Sequence, residues 1–243
     1  MRRAPPGWRL RAPVDAVIFD FDGTLVASRE RDRETLARLL ATDASLTPGV
    51  ASFWAHEGEP IGPRVQAAWP GREAELRPEF EREEVPPPYP GVRRLLERLR
   101  RRGLRLAVVS SRRRQAVLAG LAATGLDHPF SVVIGLEDVR APKPSPEGLI
   151  AALRRLGVPA ARAIYVGDSW VDVEAGRQAG VTVWQAAWEP STAPALAVTL
   201  DVPAQVDDRL RRLAGPRGPA RAARGRRSRP APTRPPVRRR ALA

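Results

Sequence analysis

The chain has no cysteine, which excludes disulfides, thiolate metal sites and a cysteine nucleophile. It also lacks any apolar run approaching the length of a membrane span. Before residue 20 there are arginines but no hydrophobic stretch of signal-peptide length, so the chain is expected to be cytoplasmic and away from membranes. No internal repeat is visible. Lysine is almost absent: of 41 basic residues only Lys143 is a lysine.

The net charge of +14 resembles that of a nucleic-acid binder, but its distribution says otherwise. Residues 15 to 214 carry 27 Lys and Arg against 27 Asp and Glu, which cancel. The excess lies in four arginines before residue 13 and ten after residue 214. The segment 215–243 is Arg, Pro, Ala and Gly with hardly a large apolar side chain, and it reads as a disordered tail. Such an arm can make weak, nonspecific, salt-dependent contact with nucleic acid, or it can be compositional drift at a terminus. Residues 1–13 read as a flexible basic N-terminus.

Chemistry is suggested where apolar strands end. Val14 to Phe19 runs into Asp20-Phe21-Asp22-Gly23-Thr24-Leu25. Alternation along a strand puts Asp20 and Asp22 on one side at its carboxyl end, where an open α/β sheet leaves its ligand crevice. Two carboxylates that close need a cation or a shared proton. Leu104 to Val109 ends on Ser110-Ser111, and Ala163 to Gly167 ends on Asp168-Ser169-Trp170-Val171-Asp172, each with a helix following. A helix start with free backbone N–H groups binds anions. Lys143 stands between prolines in Ala141-Pro142-Lys143-Pro144, a compact point charge where an arginine fork would intrude. Taken singly, each segment also fits a blander role: an Asp-Gly turn, an ordinary N-cap, a surface lysine.

Together, in this order and at these separations, the four segments resemble the haloacid dehalogenase-like hydrolases. The likeness is greatest to the phosphoglycolate phosphatase-like members, which carry a helical cap after the first motif. It spans about residues 14 to 214 and includes Tyr89-Pro90-Gly91-Val92, Lys143-Pro144-Ser145-Pro146 and Ala179-Gly180-Val181-Thr182-Val183. The resemblance implies that Asp20 is the nucleophile, forming an aspartyl-phosphate, and Asp22 the general acid and base. It implies Mg²⁺ held by Asp20, Asp168 and the backbone carbonyl of Asp22, and phosphoryl oxygens held by Ser110 and Lys143. Asp172 would orient Lys143 or a metal-bound water. Ser111 is a further phosphate-binding candidate, with Thr24 and Ser169 in support. One departure stands out: many relatives carry an Asp two residues after the Leu of the first motif, where this chain has Val26-Ala27-Ser28. The chemical roles survive that change, while phosphoglycolate itself as substrate is put in doubt.

The expected fold is α/β, a doubly wound parallel-sheet core of residues 14–26 and 89–214 with a small helical cap of residues 27–88 inserted after the first strand. Further strands are expected at about 104–109, 131–134, 163–166 and 181–185, alternating with helices at about 91–102, 112–124, 146–156 and 171–179. Pro48, Pro60, Pro63, Pro70 and Pro78 should break the cap into short helical pieces, and Pro86-Pro87-Pro88 should form its return hinge. Arg64 and His56 are the cap candidates for substrate contact, with Trp54 and Trp69 more ordinary packing residues. Arg112-Arg113-Arg114, at the positive end of a helix, point to an anionic neighbour.

The reading that results is a phosphatase acting on a small phosphomonoester, as a monomer or homodimer. A cap without lysine closes the phosphonatase alternative, which needs one for a Schiff base, and Asp22 argues against a dehalogenase. A sugar-phosphate mutase, or a non-catalytic regulator that binds nucleic acid through the tail, remain as rival readings.

Overall fold

The computed structural model describes residues 13–81, 85–189 and 198–214. The basic tail and all but the last residue of the N-terminal basic segment lie outside the described residues. The apolar run after Asp15 forms β1 (Ala16–Phe19), every residue of which is buried. Five more strands join it: β2 (Arg105–Val109), β3 (Val132–Ile134), β4 (Ala163–Gly167), β5 (Thr182–Ala186) and β6 (Val198–Leu200). They form one parallel sheet in the order β3-β2-β1-β4-β5-β6. The chain therefore winds outward from β1 in both directions, as the doubly wound pattern requires, and the crevice opens at the carboxyl ends of β1 and β4.

Near-continuous apolar strands mean that both faces are covered. Val17 and Phe19 face a cluster with Leu95, Leu96 and Leu99 of α5 (Val92–Arg101) and Val206 and Leu210 of α9 (Ala204–Leu213). Helix α5 exists because Val92, Leu95, Leu96 and Leu99 recur at helical spacing among arginines. Ala16 and Ile18 face the opposite cluster, with Leu149, Leu153 and Leu156 of α7 (Glu147–Leu156) and Val173 and Ala175 of α8 (Trp170–Ala179). The remaining core helix is α6 (Arg114–Ala123).

Two elements exceed the sequence expectation. Strand β6 adds a sixth member at the sheet edge, and α9 follows it to pack on α5. Arg102 at the end of α5 donates to the fully buried Asp207 of α9 at 2.5 Å.

Between β1 and α5 the chain forms α1 (Ser28–Thr42), α2 (Val50–Ala55), α3 (Ile61–Ala68) and α4 (Glu73–Phe80). These helices share their own apolar cluster, with Leu36, Leu46, Val65, Trp69 and Leu76 around a stacked Phe53–Phe80 pair at 4.7 Å. Pro60 and Pro70 flank α3, but Pro48 lies inside a 3₁₀ turn, Pro63 in the first turn of α3 and Pro78 inside α4, so these three do not break a helix, and α1, which precedes all five, runs unbroken for 15 residues. Going and returning connections lie side by side. Ala27 N donates to Pro87 O at 2.9 Å and Tyr89 N to Leu25 O at 3.1 Å, around an antiparallel bridge between Val26 and Pro88. Among the described residues, no helix is long and apolar enough to cross a membrane.

Candidate active site

Each strand end holds its carboxylate by local backbone geometry. Asp20 N donates to Val166 O at 2.8 Å, extending the β1–β4 pairing one residue past the strand. The chain then turns sharply, with Leu25 N and Val26 N both bonded to Phe21 O. Gly23 adopts a left-handed φ of 70°, and a Cβ there would overlap the carboxylate of Asp168, so only glycine suits the position. Across the crevice, Ser169 caps α8 in a box with Asp172, which fixes Asp172 beneath the end of β4.

The sole lysine joins the two sides. Lys143 Nζ donates to Asp20 Oδ1 and to Asp172 Oδ1, both at 2.7 Å, and lies 3.3 Å from the Tyr165 hydroxyl. Asp172 is fully committed: Tyr165 also donates to Oδ1 at 2.6 Å, and Ser169 supplies its N–H at 3.0 Å and its hydroxyl at 2.5 Å to Oδ2. Burial would raise the Asp172 carboxyl, but Lys143 and these hydrogen bonds outweigh it and hold it below the usual range. Asp20 is in the opposite position. Burial, with the charges of Asp172 and Asp22, pushes it up to about 7 despite Lys143. Asp168 is likewise raised well above normal by burial and then by Asp172 and Asp20. Lys143 itself is held protonated, because the two aspartates outweigh its desolvation.

Asp20, Asp168 and Asp172 can bring one oxygen each within 4.8 Å of one another, a buried cluster able to hold a metal ion. Asp172 has no oxygen to spare, so the carboxylates open to a metal are Asp20 and Asp168. Thr24 Oγ1 approaches Asp168 Oδ1 at 3.4 Å, while Arg29 Nη2 reaches Oδ2 at 3.2 Å.

Asp22 lies beside them with its own cation. Arg112 Nε donates to Asp22 Oδ2 at 2.7 Å, and Asp22 Oδ1 is buried without a partner among the described residues. Burial raises the Asp22 carboxyl, yet Arg112 and Arg31, with hydrogen bonds from Arg112 and Ser28, carry it below the usual range. Of the arginine triplet, Arg112 thus faces Asp22, while Arg114 Nε lies 3.9 Å from Asp138 Oδ2. The helix takes in the last of the three, starting at Arg114, two residues beyond the expected start, with Arg113 rather than a serine at its cap. Ser110 is buried, and its hydroxyl accepts Arg112 N at 3.1 Å. The Ser111 hydroxyl donates to Gly58 O at 2.8 Å, tying the connection between α2 and α3 to the core.

Of the cap candidates, Arg64 lines the cavity above this site and His56 does not. His56 Nδ1 lies 2.9 Å from Ser52 O within its own helix end. Trp69 is buried and donates to Leu46 O at 2.8 Å, and Trp54 packs edge-on against Phe53 at 5.4 Å. Sequence reasoning missed Arg29, Arg31, Asp32 and Tyr165. Arg29 is buried and grips Glu57 with two nitrogens, at 2.6 and 2.8 Å. Its only sequence signal was its place directly after the first motif.

One cavity of about 340 Å³ takes in Asp20, Asp22, Ser110, Lys143 and Asp168 on its floor and the arginines of α1 and α3 on its roof. That is the size of a small-molecule site. A doubly wound sheet with buried carboxylates and one ammonium at its switch point, under a helical roof, defines an α/β enzyme for anionic small molecules. The chain belongs to the haloacid dehalogenase-like hydrolases, whose family description matches residues 14–180.

It is 35% identical over 186 residues to pyrophosphatase PpaX of Bacillus velezensis, covering 72% of this chain and 84% of that protein. It is 30% identical over 212 residues to phosphoglycolate phosphatase of Pseudomonas syringae pv. tomato, covering 81% and 77%. Among solved structures, one from Thermotoga maritima provisionally named as a β-phosphoglucomutase superposes with a TM-score of 0.64 at 26% identity, covering 81% of this chain and 98% of that one.

Proposed function

We propose that the chain is a Mg²⁺-dependent phosphatase that hydrolyses a small phosphomonoester through an aspartyl-phosphate on Asp20. The observation that carries this reading is Lys143, placed 2.7 Å from both Asp20 and Asp172 in the same cavity as Asp22 and Asp168. The ammonium sits beside the attacking carboxylate, where it can meet phosphoryl oxygens as charge spreads over them. Asp172, wholly hydrogen-bonded, fixes that ammonium in place.

Asp20 attacks phosphorus. Asp22, one residue further along the turn, delivers a proton to the leaving alcohol and then takes one from the water that opens the intermediate. Ser110, at the end of β2, and Lys143 hold the transferred group, and the roof excludes bulk water. The donor set fits Mg²⁺: Asp20, Asp168 and the Asp22 backbone carbonyl are hard oxygens, and two buried carboxylates with raised pKa values gain from a divalent cation. When bound, the ion supplies charge neutralisation at the phosphoryl oxygens. The names of the pyrophosphatase and phosphoglycolate phosphatase relatives support phosphate release as the outcome.

The test is hydrolysis of p-nitrophenyl phosphate, which should require Mg²⁺ and stop with chelator. Asp20→Asn should abolish it in a folded protein, because the amide cannot form the acyl-phosphate. Near wild-type turnover in that variant would sink the nucleophile assignment.

A further inference from the structure

The charge of residues 15 to 214 cancels in sum but not in space. The roof segment 27–88 carries twelve acids against eight arginines. The opposite pole of the core, where the parallel strands begin, has the reverse balance. Residues 97–105, from α5 to the start of β2, hold five arginines and one acid. Residues 154–162, from the end of α7 to the lead-in of β4, hold three arginines and no acid. The last turns of α9 with Ala214, residues 207–214, hold three arginines and two acids, and the link from α6 to β3 adds Asp127.

Contacts draw these segments together. Arg105 N donates to Asp15 O at 3.0 Å and Asp15 N to Arg162 O at 2.8 Å, so the lead-ins of β1, β2 and β4 lie side by side. Arg105 Nη1 donates to Leu156 O at the end of α7. Arg102 and Arg211 share the Asp207 carboxylate at 2.5 and 2.9 Å, which brings the last turn of α9 to the end of α5. Both basic terminal segments join the core here. Pro13 O accepts Arg162 Nε at 3.1 Å, directly after the four N-terminal arginines, and the ten arginines beyond residue 214 follow directly on α9.

Other arginines of this pole have no partner in the fold. The side chains of Arg100, Arg154 and Arg212 are exposed and form no ion pair or hydrogen bond among the described residues. Arg101 is 74% exposed and only 3.7 Å from Glu97. A cation in a last turn also complements the helix dipole, which accounts for one charge at each helix end. It does not account for helix ends from both faces of the sheet meeting two arginine-rich termini at one pole.

We propose that the pole opposite the active site docks on nucleic acid through its sugar–phosphate backbone, with Arg100, Arg154 and Arg212 as phosphate contacts and the terminal arginines extending the grip. Guanidinium forks match phosphate oxygens and stack on bases. A lipid surface would instead call for apolar side chains to insert, and of the exposed large apolar residues described only Leu213 lies in these segments. Asp20 stands past the far end of β1, so the cavity remains accessible while the pole is occupied. The proposal does not depend on the reaction at Asp20.

The test uses the full chain and two triple variants of equal charge. One is Arg100→Gln, Arg154→Gln and Arg212→Gln at the pole, and the other is Arg33→Gln, Arg38→Gln and Arg72→Gln on the roof. Fluorescence anisotropy over a salt titration reads binding to a labelled DNA duplex and a labelled single-stranded RNA, and flotation reads binding to phosphatidylglycerol–phosphatidylcholine vesicles. The wild type should bind nucleic acid with an affinity that falls steeply with salt, and the tighter of the two ligands identifies duplex or single strand. The pole variant should bind on the order of tenfold more weakly, with a log–log salt slope shallower by about two to three. The roof variant should stay within about threefold of the wild type.

Equal weakening of the two triples, both folded by circular dichroism, would mean that the termini bind by net charge alone and would overturn the assignment to the pole. Absence of binding at low salt, or tighter binding to vesicles than to either nucleic acid, would overturn the partner. So would a dimer, seen by light scattering, that nucleic acid does not dissociate and the pole triple abolishes, because the acidic roof of a second copy would then be the occupant. Loss of p-nitrophenyl phosphate turnover on saturation with nucleic acid would place the ligand over the cavity and count against the pole, whereas absence of turnover altogether would remove the phosphatase reading and leave the binding result standing.

Discussion

Arg112 Nε and Asp22 Oδ2 form an ion pair at 2.7 Å, joining the end of β2 to the turn after β1. Asp22 therefore ionises more readily than its burial alone would allow. Arg112→Gln should let burial prevail and keep the proton on Asp22 to higher pH. Where breakdown of the phosphoenzyme limits turnover, the acid limb of kcat should then move upward by on the order of one pH unit. A pH–rate profile decides it, and an unmoved limb would mean that Asp22 does not carry the proton.

Asp20 leads to a prediction for the metal. With its carboxyl at about 7 in the metal-free protein, Asp20 is protonated below that pH and must lose its proton to serve as a ligand. Mg²⁺ affinity should rise between pH 6 and pH 8 by on the order of tenfold, with proton release visible as calorimetric heats that differ between buffers. Affinity independent of pH would show that Asp20 is already ionised.

Lys143→Arg tests the point charge. The space between Asp20, Asp172 and Tyr165 accepts an ammonium with three bonds, and a planar fork there must displace one partner. Activity on aryl phosphate should fall by on the order of tenfold or more. Activity close to the wild type would place the phosphoryl contact elsewhere.

Gly58 reports on closure of the roof. Its φ of 89° and the overlap a Cβ would make with Ser169 and Val171 mean that Gly58→Ala cannot seat this connection on the core. The variant should lose kcat/KM and should acetylate Lys143 faster with acetic anhydride than the wild type, in which that side chain is buried. Since Lys143 is the sole lysine, mass spectrometry reads the site cleanly. Unchanged labelling would mean that the roof closes without this contact.

Arg102 and Asp207 concern stability rather than activity. Burial would raise the Asp207 carboxyl, but hydrogen bonds from Arg102 and Arg211 hold it below the usual range. A depressed folded-state pKa stabilises the fold above the unfolded-state value near 4, and that contribution disappears as pH falls through the folded value. Arg102→Ala, which leaves the buried carboxylate with Arg211 as its remaining cation, should cost on the order of 2 kcal/mol at pH 7 by urea denaturation, and less in acid. An equal loss at pH 3 and pH 7 would argue that only packing was removed.

The carboxylates and Ser110 of the floor were legible in the sequence because each stands at or just past the end of an apolar strand, and a parallel sheet must bring such ends together, while Lys143 was marked by being the sole lysine, set between prolines. The roof was not. Arg29, Arg31 and Asp32 sit in a run, Ser28-Arg29-Glu30-Arg31-Asp32-Arg33, that reads as an ordinary solvated helix face. Only the packing of α1 against α4, with the ion pairs of Asp32 to Arg64 of α3 and of Arg29 to Asp168, turns that run inward. His56 shows the converse, a chemically suggestive residue that the helix end keeps for itself. Strand β6 escaped notice because three residues, Val198-Thr199-Leu200, are too short for alternation to show.

The strand order also fixes a timetable for synthesis. Ala16 pairs with Arg105 on one side and Ala163 on the other, so the central strand waits for most of the chain to leave the ribosome. Helices α1 to α4 close their own apolar cluster from a continuous stretch and have no such wait. The roof should be assembled before the floor it covers, and pulsed hydrogen exchange on stalled nascent chains should find α1 and α3 protected while β1 is still open.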